Sequence, residues 1–166
     1  METLPYLGGY PPEIQARALS ALEAGTLGPW LQERYPDRHD IRSSRDLTGY
    51  VKELKARYLR TSAPLARVAY DPQLHVVHQA LGLHTTATRV QGDKLRKRRE
   101  IRIAALFKDT APEFLRMIVV HELAHMSHAE HNREFYRLCL HMEPEYHQWE
   151  LDLRLLLTQQ EWSMRG

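Results

Sequence analysis

Apolar residues in the first third of the chain follow the spacing of helices. They recur three and four positions apart in residues 12–24 and again in residues 47–58, which is the period of a helix with one buried face. Pro12 suits the first turn of the first segment, and Gly25 suits its end. A shorter candidate helix, residues 29–35, stops at Pro36. The pattern therefore predicts a helical N-terminal region, residues 1–62.

The middle of the chain has the pattern of short strands. Residues 65–70, 74–78 and 83–90 are apolar or β-branched runs, and residues 91–93, Gln-Gly-Asp, have the composition of a hairpin turn. After this turn, apolar and polar residues alternate, and one face would carry Ile101, Ile103, Ala105 and Phe107. We expect a small, mostly antiparallel sheet.

The last third returns to helical spacing. Residues 110–113, Thr-Ala-Pro-Glu, have the form of a capping box with Thr110 as N-cap. The predicted helix that follows, residues 114–129, is apolar nearly all round as far as Ala124, which indicates burial. Asn132 can cap a further helix, and another follows Pro144. The fold class is α+β, and we expect a single domain, 1–166, with a core over residues 63–166.

Length and composition agree with one globular domain. The chain has 166 residues, of which 43% are hydrophobic and 27% are charged, values that exclude a disordered or collagen-like chain. No apolar run approaches the ~20 residues of a membrane span, and the first residues do not resemble a secretory signal. Cys139 is the one cysteine, so no intrachain disulfide can form. We expect a cytoplasmic protein with no membrane contact.

The strongest chemical signal is HELAH at residues 121–125. In a helix, His121 and His125 lie on one face, one turn apart, and two imidazoles so placed can bind one metal ion. Glu122 lies about 100° around the helix axis from His121 and about 60° from His125. Its carboxylate can therefore take a proton from metal-bound water without binding the metal itself. The motif predicts a metal-dependent hydrolase with Glu122 as its catalytic residue.

A third ligand is needed, and His131 is the best candidate. His128 shares the face of the first two histidines but lies about 10 Å beyond His121 along a straight helix. His131 falls where the chain turns before Asn132, so it can fold back. Weaker candidates are Glu134, His141 and His147. Three protein ligands leave a position for water, as in catalytic zinc sites, and imidazoles suit Zn²⁺, although nickel and iron also accept them. Candidates for an oxyanion donor, among which the sequence does not choose, are Tyr136, His141, Tyr146 and His147.

Residues 114–146 resemble the YgjP-like metallopeptidase family, which is related to the SprT-like and WLM zincins. They read FLRMIVVHELAHMSHAEHNREFYRLCLHMEPEY, with an uncharged run, HELxH, a histidine after five residues, an aromatic pair and a later Pro-x-Tyr. The resemblance extends over residues 85–157 and implies a zincin-like fold in which His121, His125 and His131 bind zinc and Glu122 is catalytic. The family's Arg-Trp-Gly-Ser-like turn reads RVQG here, at residues 89–92, so its tryptophan and serine are missing.

Three functions remain open at this point. The main hypothesis is a zinc metallopeptidase in which Glu122 activates zinc-bound water to cleave a peptide or protein substrate. The alternatives are a metal-dependent nucleotide pyrophosphatase and a nucleic-acid-associated zinc-binding module.

A basic segment, residues 94–102, bears on these alternatives. It has six basic residues against one acidic residue, a local charge of +5 in a chain of net charge +2. Such a segment could bind the phosphates of a nucleic acid or nucleotide, or it could be the solvated face of an edge strand. Its basic residues are Lys94, Arg96, Lys97, Arg98, Arg99 and Arg102.

Overall fold

The structure is a computed structural model, which describes residues 4–74 and 99–165. The predicted strands at residues 83–90, the turn at residues 91–93, most of the strand at residues 74–78 and the basic residues 94–98 lie outside the described residues. None of the helices in the described ranges combines the length and apolar character that crossing a membrane requires.

The described residues form a mostly helical α+β protein with two strands. In chain order the elements are a 3₁₀ turn (Pro5–Leu7), helices α1 (Pro12–Ala24), α2 (Leu27–Arg34) and α3 (Ser44–Tyr58), strands β1 (Arg67–Asp71) and β2 (Glu100–Ala104), a second 3₁₀ helix (Ala105–Asp109), and helices α4 (Pro112–Ala124), α5 (Arg133–Met142) and α6 (Tyr146–Met164).

Contacts between Cα atoms divide the chain into two units. The first comprises Met1–Pro36 and His147–Gly166, and the second comprises Asp37–Tyr146. The single domain expected from length, with its boundary at residue 62, stays a prediction.

The first unit contains helices α1 and α2 together with α6 from His147 onward. Gly25 ends α1 with φ 74°, a left-handed conformation that glycine adopts without strain, so the predicted stop is confirmed. Inside the unit, the fully buried Asp152 accepts hydrogen bonds from the Tyr35 hydroxyl and from Nε2 of Gln148, 2.9 Å away. Burial, together with the hydrogen bond to Asp152, raises the pKa of Tyr35 above its usual range.

The sheet of the second unit differs from the prediction in strand direction. Strands β1 and β2 pair in parallel, with Val68 opposite Ile101 and Tyr70 opposite Ile103, so the mostly antiparallel sheet is wrong for the described strands. Parallel neighbours need a long crossover rather than a tight turn, and residues 72–99 separate these two strands. Helix α3 packs against β1, where Oγ of Ser44 accepts a hydrogen bond from the amide of Tyr70 at 3.1 Å.

The segment between β2 and α4 also differs from its prediction. The strand ends at Ala104, and residues 105–109 turn as a 3₁₀ helix that still buries Phe107. Thr110 donates its hydroxyl to the carbonyl of Phe107 at 3.2 Å, and the N-cap of α4 is Ala111, which has no side-chain cap. The predicted capping box is therefore wrong. Pro112 occupies the first turn, where its missing N–H costs nothing.

Helix α4 is buried on nearly every side and packs against β2 and α5. It ends at Ala124 rather than at the predicted residue 129. Helix α5 begins after Asn132, whose Oδ1 accepts a hydrogen bond from the amide of Phe135 at 2.9 Å, so this predicted cap is confirmed. The seven residues after Ala124 and before Asn132 make the turn that follows the HELAH motif.

Candidate metal centre

The end of α4 places two histidines of the HELAH motif. His121 and Glu122 lie in the last turns of the helix, and His125 is its C-terminal cap, with φ −67° and ψ −15°. Beyond it, the amide of His128 donates to the carbonyl of Ala124 at 3.0 Å, which tightens the chain into a turn. His131 follows this turn and comes directly before the cap of α5.

Three histidines meet at this turn. The ligand atoms of His121, His125 and His131 all lie within 4.8 Å of one another. Nε2 of His125 is 3.2 Å from Nε2 of His121 and 2.9 Å from Nε2 of His131. His121 and His125 are buried, whereas His131 is partly exposed. The structure thus brings together the three histidines that the sequence singled out, and it leaves His128 out of the group.

The second nitrogen of each buried ring has a partner directed away from the cluster. Nδ1 of His121 is 2.7 Å from the hydroxyl of Tyr146, and Nδ1 of His125 is 2.9 Å from the carbonyl of His128. A carbonyl can only accept, so Nδ1 of His125 carries a proton, and Nε2 is the nitrogen that the neutral ring would offer to a metal. Histidines that bind metals are oriented in this way by a second hydrogen bond.

The distances and the donor set both fit a metal ion. Tetrahedral zinc with Zn–N bonds of about 2.0–2.1 Å separates its nitrogen ligands by about 3.4 Å. The Nε2 separations of 2.9 and 3.2 Å are close to that value. The three histidines therefore form a possible metal site, and their geometry does not distinguish among metals that accept imidazole.

Phe135 packs against all three imidazoles. Its ring centroid lies 5.1, 4.5 and 4.9 Å from those of His121, His125 and His131, and the side chain is fully buried. The sequence indicated Phe135 only as part of the buried face of α5. No local signal could have found this contact, because His131 precedes the helix and the contact depends on how α5 packs on α4.

The four residues that the sequence offered as candidate oxyanion donors differ in burial and in their contacts. Tyr146 is fully buried and contacts His121, whereas the ring of Tyr136 lies 6.3 Å from that of His131. The ring of His141 meets that of Tyr58 at 5.5 Å, and His147 is exposed.

The catalytic role expected for Glu122 stays a prediction. Its side chain is 6% exposed, so the residue lies within the same buried end of α4 as the histidines.

Of the basic segment, only its last residues are described. Nε of Arg102 donates to Oδ2 of Asp71 at 2.9 Å, and this hydrogen bond lowers the pKa of Asp71. The backbone carbonyl of Arg99 accepts from the amide of Ala66 at 2.7 Å. Arg102 is thus engaged in an ion pair within the sheet.

An α+β chain with three imidazoles at the end of an HExxH helix has the donor set of a metal-dependent hydrolase. The chain belongs to the YgjP-like family, because the family model described as "YgjP-like, metallopeptidase domain" matches residues 32–155. It is also 48% identical over 159 residues to a UTP pyrophosphatase of Escherichia coli (strain K12), which covers 96% of this chain and 95% of the relative. No solved structure matches the chain significantly. The family resemblance drawn from the motifs is confirmed.

The same relative corrects the main functional prediction. The relative that is similar along nearly the whole chain is a UTP pyrophosphatase. The prediction of a metallopeptidase that acts on a peptide or protein substrate is therefore wrong. Hydrolase chemistry remains supported. Metal-bound water can attack a phosphoryl centre as well as a carbonyl, so an HExxH motif alone does not separate these two substrate classes.

Proposed function

We propose that this protein is a metal-dependent nucleotide pyrophosphatase and that UTP is its candidate substrate. The identity of 48% across 96% of the chain to a UTP pyrophosphatase carries the proposal. The reaction adds water across the bond between the α- and β-phosphates of UTP, which yields UMP and pyrophosphate. The alternative that the sequence left open thus becomes the preferred function.

The proposal assigns the metal to the three clustered histidines. His121, His125 and His131 would hold Zn²⁺ through their Nε2 atoms, because a neutral imidazole set without thiolates suits this ion. The ion would supply Lewis-acid chemistry to water and to a phosphoryl oxygen. The contact between β2 and α4 supports the finer proposal of a zincin-like arrangement, in which a small sheet lies against the HExxH helix.

Glu122 is proposed as the residue that moves the proton. A carboxylate oxygen of Glu122 accepts a proton from the attacking water, and the same oxygen can return it to the leaving pyrophosphate. Helical geometry puts Glu122 about 60° from His125 around the axis of α4. Burial of the side chain keeps bulk water away from this transfer.

The part that the basic residues 94–99 would play in receiving the phosphates stays a prediction.

Glu122→Gln tests the proposed chemistry. We expect pyrophosphate release from UTP to fall by about 10²–10⁴-fold, the usual contribution of a general base, while the protein keeps its metal. Glu113→Gln is the matched control, because it makes the same change in the first turn of the same helix and should keep wild-type activity.

Two results would contradict parts of this proposal. Wild-type turnover by Glu122→Gln would remove the proton-transfer role. A wild-type protein that binds metal but releases no pyrophosphate from UTP or other nucleoside triphosphates would remove the substrate.

A further inference from the structure

We propose that Tyr146 is a positioning residue for the metal ligand His121, and that the ion pair of Arg116 with Glu143 holds Tyr146 in place. The proposal rests on the proposed metal site, and it concerns the affinity of that site rather than the substrate. It replaces the sequence-based suggestion that Tyr146 could be an oxyanion donor.

The contact between Tyr146 and His121 is buried and well aligned. Tyr146 is 0% exposed and His121 is 1% exposed, and the hydroxyl lies 2.7 Å from Nδ1. The two ring planes differ by 17°, with centroids 6.3 Å apart. Rings nearly parallel at that separation, with a short O···N contact, meet edge to edge, so the hydrogen bond lies near the plane of the imidazole.

The direction of this hydrogen bond explains why Tyr146 acts through His121. When Nε2 of His121 binds an ion, Nδ1 carries the ring proton and donates a hydrogen bond to the tyrosine oxygen. The acceptor then fixes the rotation of the ring and makes Nε2 a stronger ligand. Rotation of His121 away from this direction would leave a buried hydroxyl and a buried N–H poorly matched, which costs free energy.

The loop before Tyr146 is tied back by Glu143. Oε1 of Glu143 accepts from Nε of Arg116 at 2.6 Å, and Oε2 accepts from the amide of Glu145 at 3.0 Å. The amide of Tyr146 in turn donates to the carbonyl of Glu143 at 3.0 Å. Both carboxylate oxygens therefore have donors, and the backbone that precedes the tyrosine is fixed.

The cation of this ion pair lies in the helix that also carries His121. Arg116 belongs to α4, and its Nη2 donates to the carbonyl of Met142 at 3.0 Å. The ion pair is mostly buried, with side chains 26% and 10% exposed. One helix thus presents the metal ligand and also holds the loop whose tyrosine orients that ligand.

Tyr146→Phe tests the role of the hydroxyl, and Tyr70→Phe is its matched control. Tyr70 is also buried in the second unit, and its hydroxyl donates to the carbonyl of Ile41. Each variant loses one hydrogen bond of a buried tyrosine, but only Tyr146 contacts the cluster. The measurements are Zn²⁺ affinity of the metal-free protein, by competition with a chromophoric chelator, and the free energy of unfolding.

We expect Tyr146→Phe to weaken Zn²⁺ binding by about 10–100-fold, the usual effect of removing such a partner. Tyr70→Phe should lose comparable stability with unchanged Zn²⁺ affinity. Glu143→Gln, which keeps the shape of the side chain and removes its charge, should weaken Zn²⁺ binding in the same direction by a smaller factor.

Wild-type Zn²⁺ affinity in Tyr146→Phe would overturn the positioning role, and so would an equal loss in Tyr70→Phe. If the wild-type protein bound no Zn²⁺, the metal site and the positioning role would both fall. If it bound Zn²⁺ with the expected loss in Tyr146→Phe but left UTP intact, only the proposed substrate would fall.

Discussion

Asn132 allows a quantitative test of whether the start of α5 governs the metal cluster. Its Oδ1 accepts one hydrogen bond from the amide of Phe135, and it directly follows His131. Asn132→Ala removes this acceptor, and loss of an N-cap costs about 1 kcal/mol, with a range of roughly 0.5–2 kcal/mol. For a chain of this size, that loss lowers the thermal midpoint by about 2–4 °C.

The effect on the metal follows from the same hydrogen bond. Without the cap, the first turn of α5 can open, and this turn carries Phe135, whose ring contacts all three imidazoles. If binding must close the turn again, the full cost of about 1 kcal/mol appears as about a fivefold weaker Zn²⁺ affinity. A cost at the top of the range, about 2 kcal/mol, would give a factor of about 30, which is the upper limit for an effect transmitted only through the cap.

Ser43→Ala separates this effect from a general loss of stability. Oγ of Ser43 caps α3 with an equivalent bond to the amide of Asp46, at 3.0 Å, and neither neighbour of Ser43 belongs to the cluster. Urea unfolding of both metal-free variants should show similar losses, whereas Zn²⁺ competition titrations should respond only to Asn132→Ala. Equal weakening by both variants, or unchanged stability and affinity in Asn132→Ala, would refute the reasoning.

Two other predictions use different measurements. Chelation should lower the thermal midpoint and Zn²⁺ should restore it, since an ion at 100 times its Kd stabilises the folded state by about 2.7 kcal/mol. The thermal midpoint of His131→Ala should respond far less to both treatments. A response equal to that of the wild-type protein would contradict the role of His131 as a ligand. Burial raises the pKa of Tyr70 to about 12, whereas the unfolded chain titrates near 10, about the usual tyrosine value. The stability that this group contributes is complete below the lower pKa and is lost as pH rises towards 12. In urea unfolding between neutral and alkaline pH, the free energy of unfolding should therefore decline less in Tyr70→Phe than in the wild-type protein. Identical declines would contradict this prediction.

Local chemistry explains which parts of the fold could be predicted. Gly25 and Asn132 act within one or two turns of their own position, so the helix boundaries that they set were visible in the sequence. Strand direction was not, because the alternation that buries Ile101 and Ile103 reports which face is covered and not how the partner strand runs. The N-cap of α4 is Ala111 instead of Thr110, and the Thr110 hydroxyl donates to the carbonyl of Phe107, a contact that the capping-box pattern does not contain.

In the candidate metal site, too, the local contacts could be predicted from the sequence and the long-range contacts could not. His121 and His125 are neighbours because residues four apart lie on the same face of a helix. His131 could be predicted as the third ligand because His128 lies too far along the axis of a straight helix. The contacts of Phe135 and Tyr146 depend on how α5 and the start of α6 pack on α4, which no local pattern encodes. The substrate was mispredicted because an HExxH motif does not distinguish attack on a phosphoryl centre from attack on a carbonyl.

The contacts of the cluster also bear on how quickly a metal could enter and leave. The rings of His121 and His125 are oriented by a tyrosine hydroxyl and a backbone carbonyl and packed on Phe135, and all of these partners are protein groups outside the ligand set. Zinc fingers, in contrast, fold only when the metal binds. Metal exchange at this preorganised site would therefore need no unfolding of the chain, and its rate would be governed by movement of the one partly exposed ligand, His131.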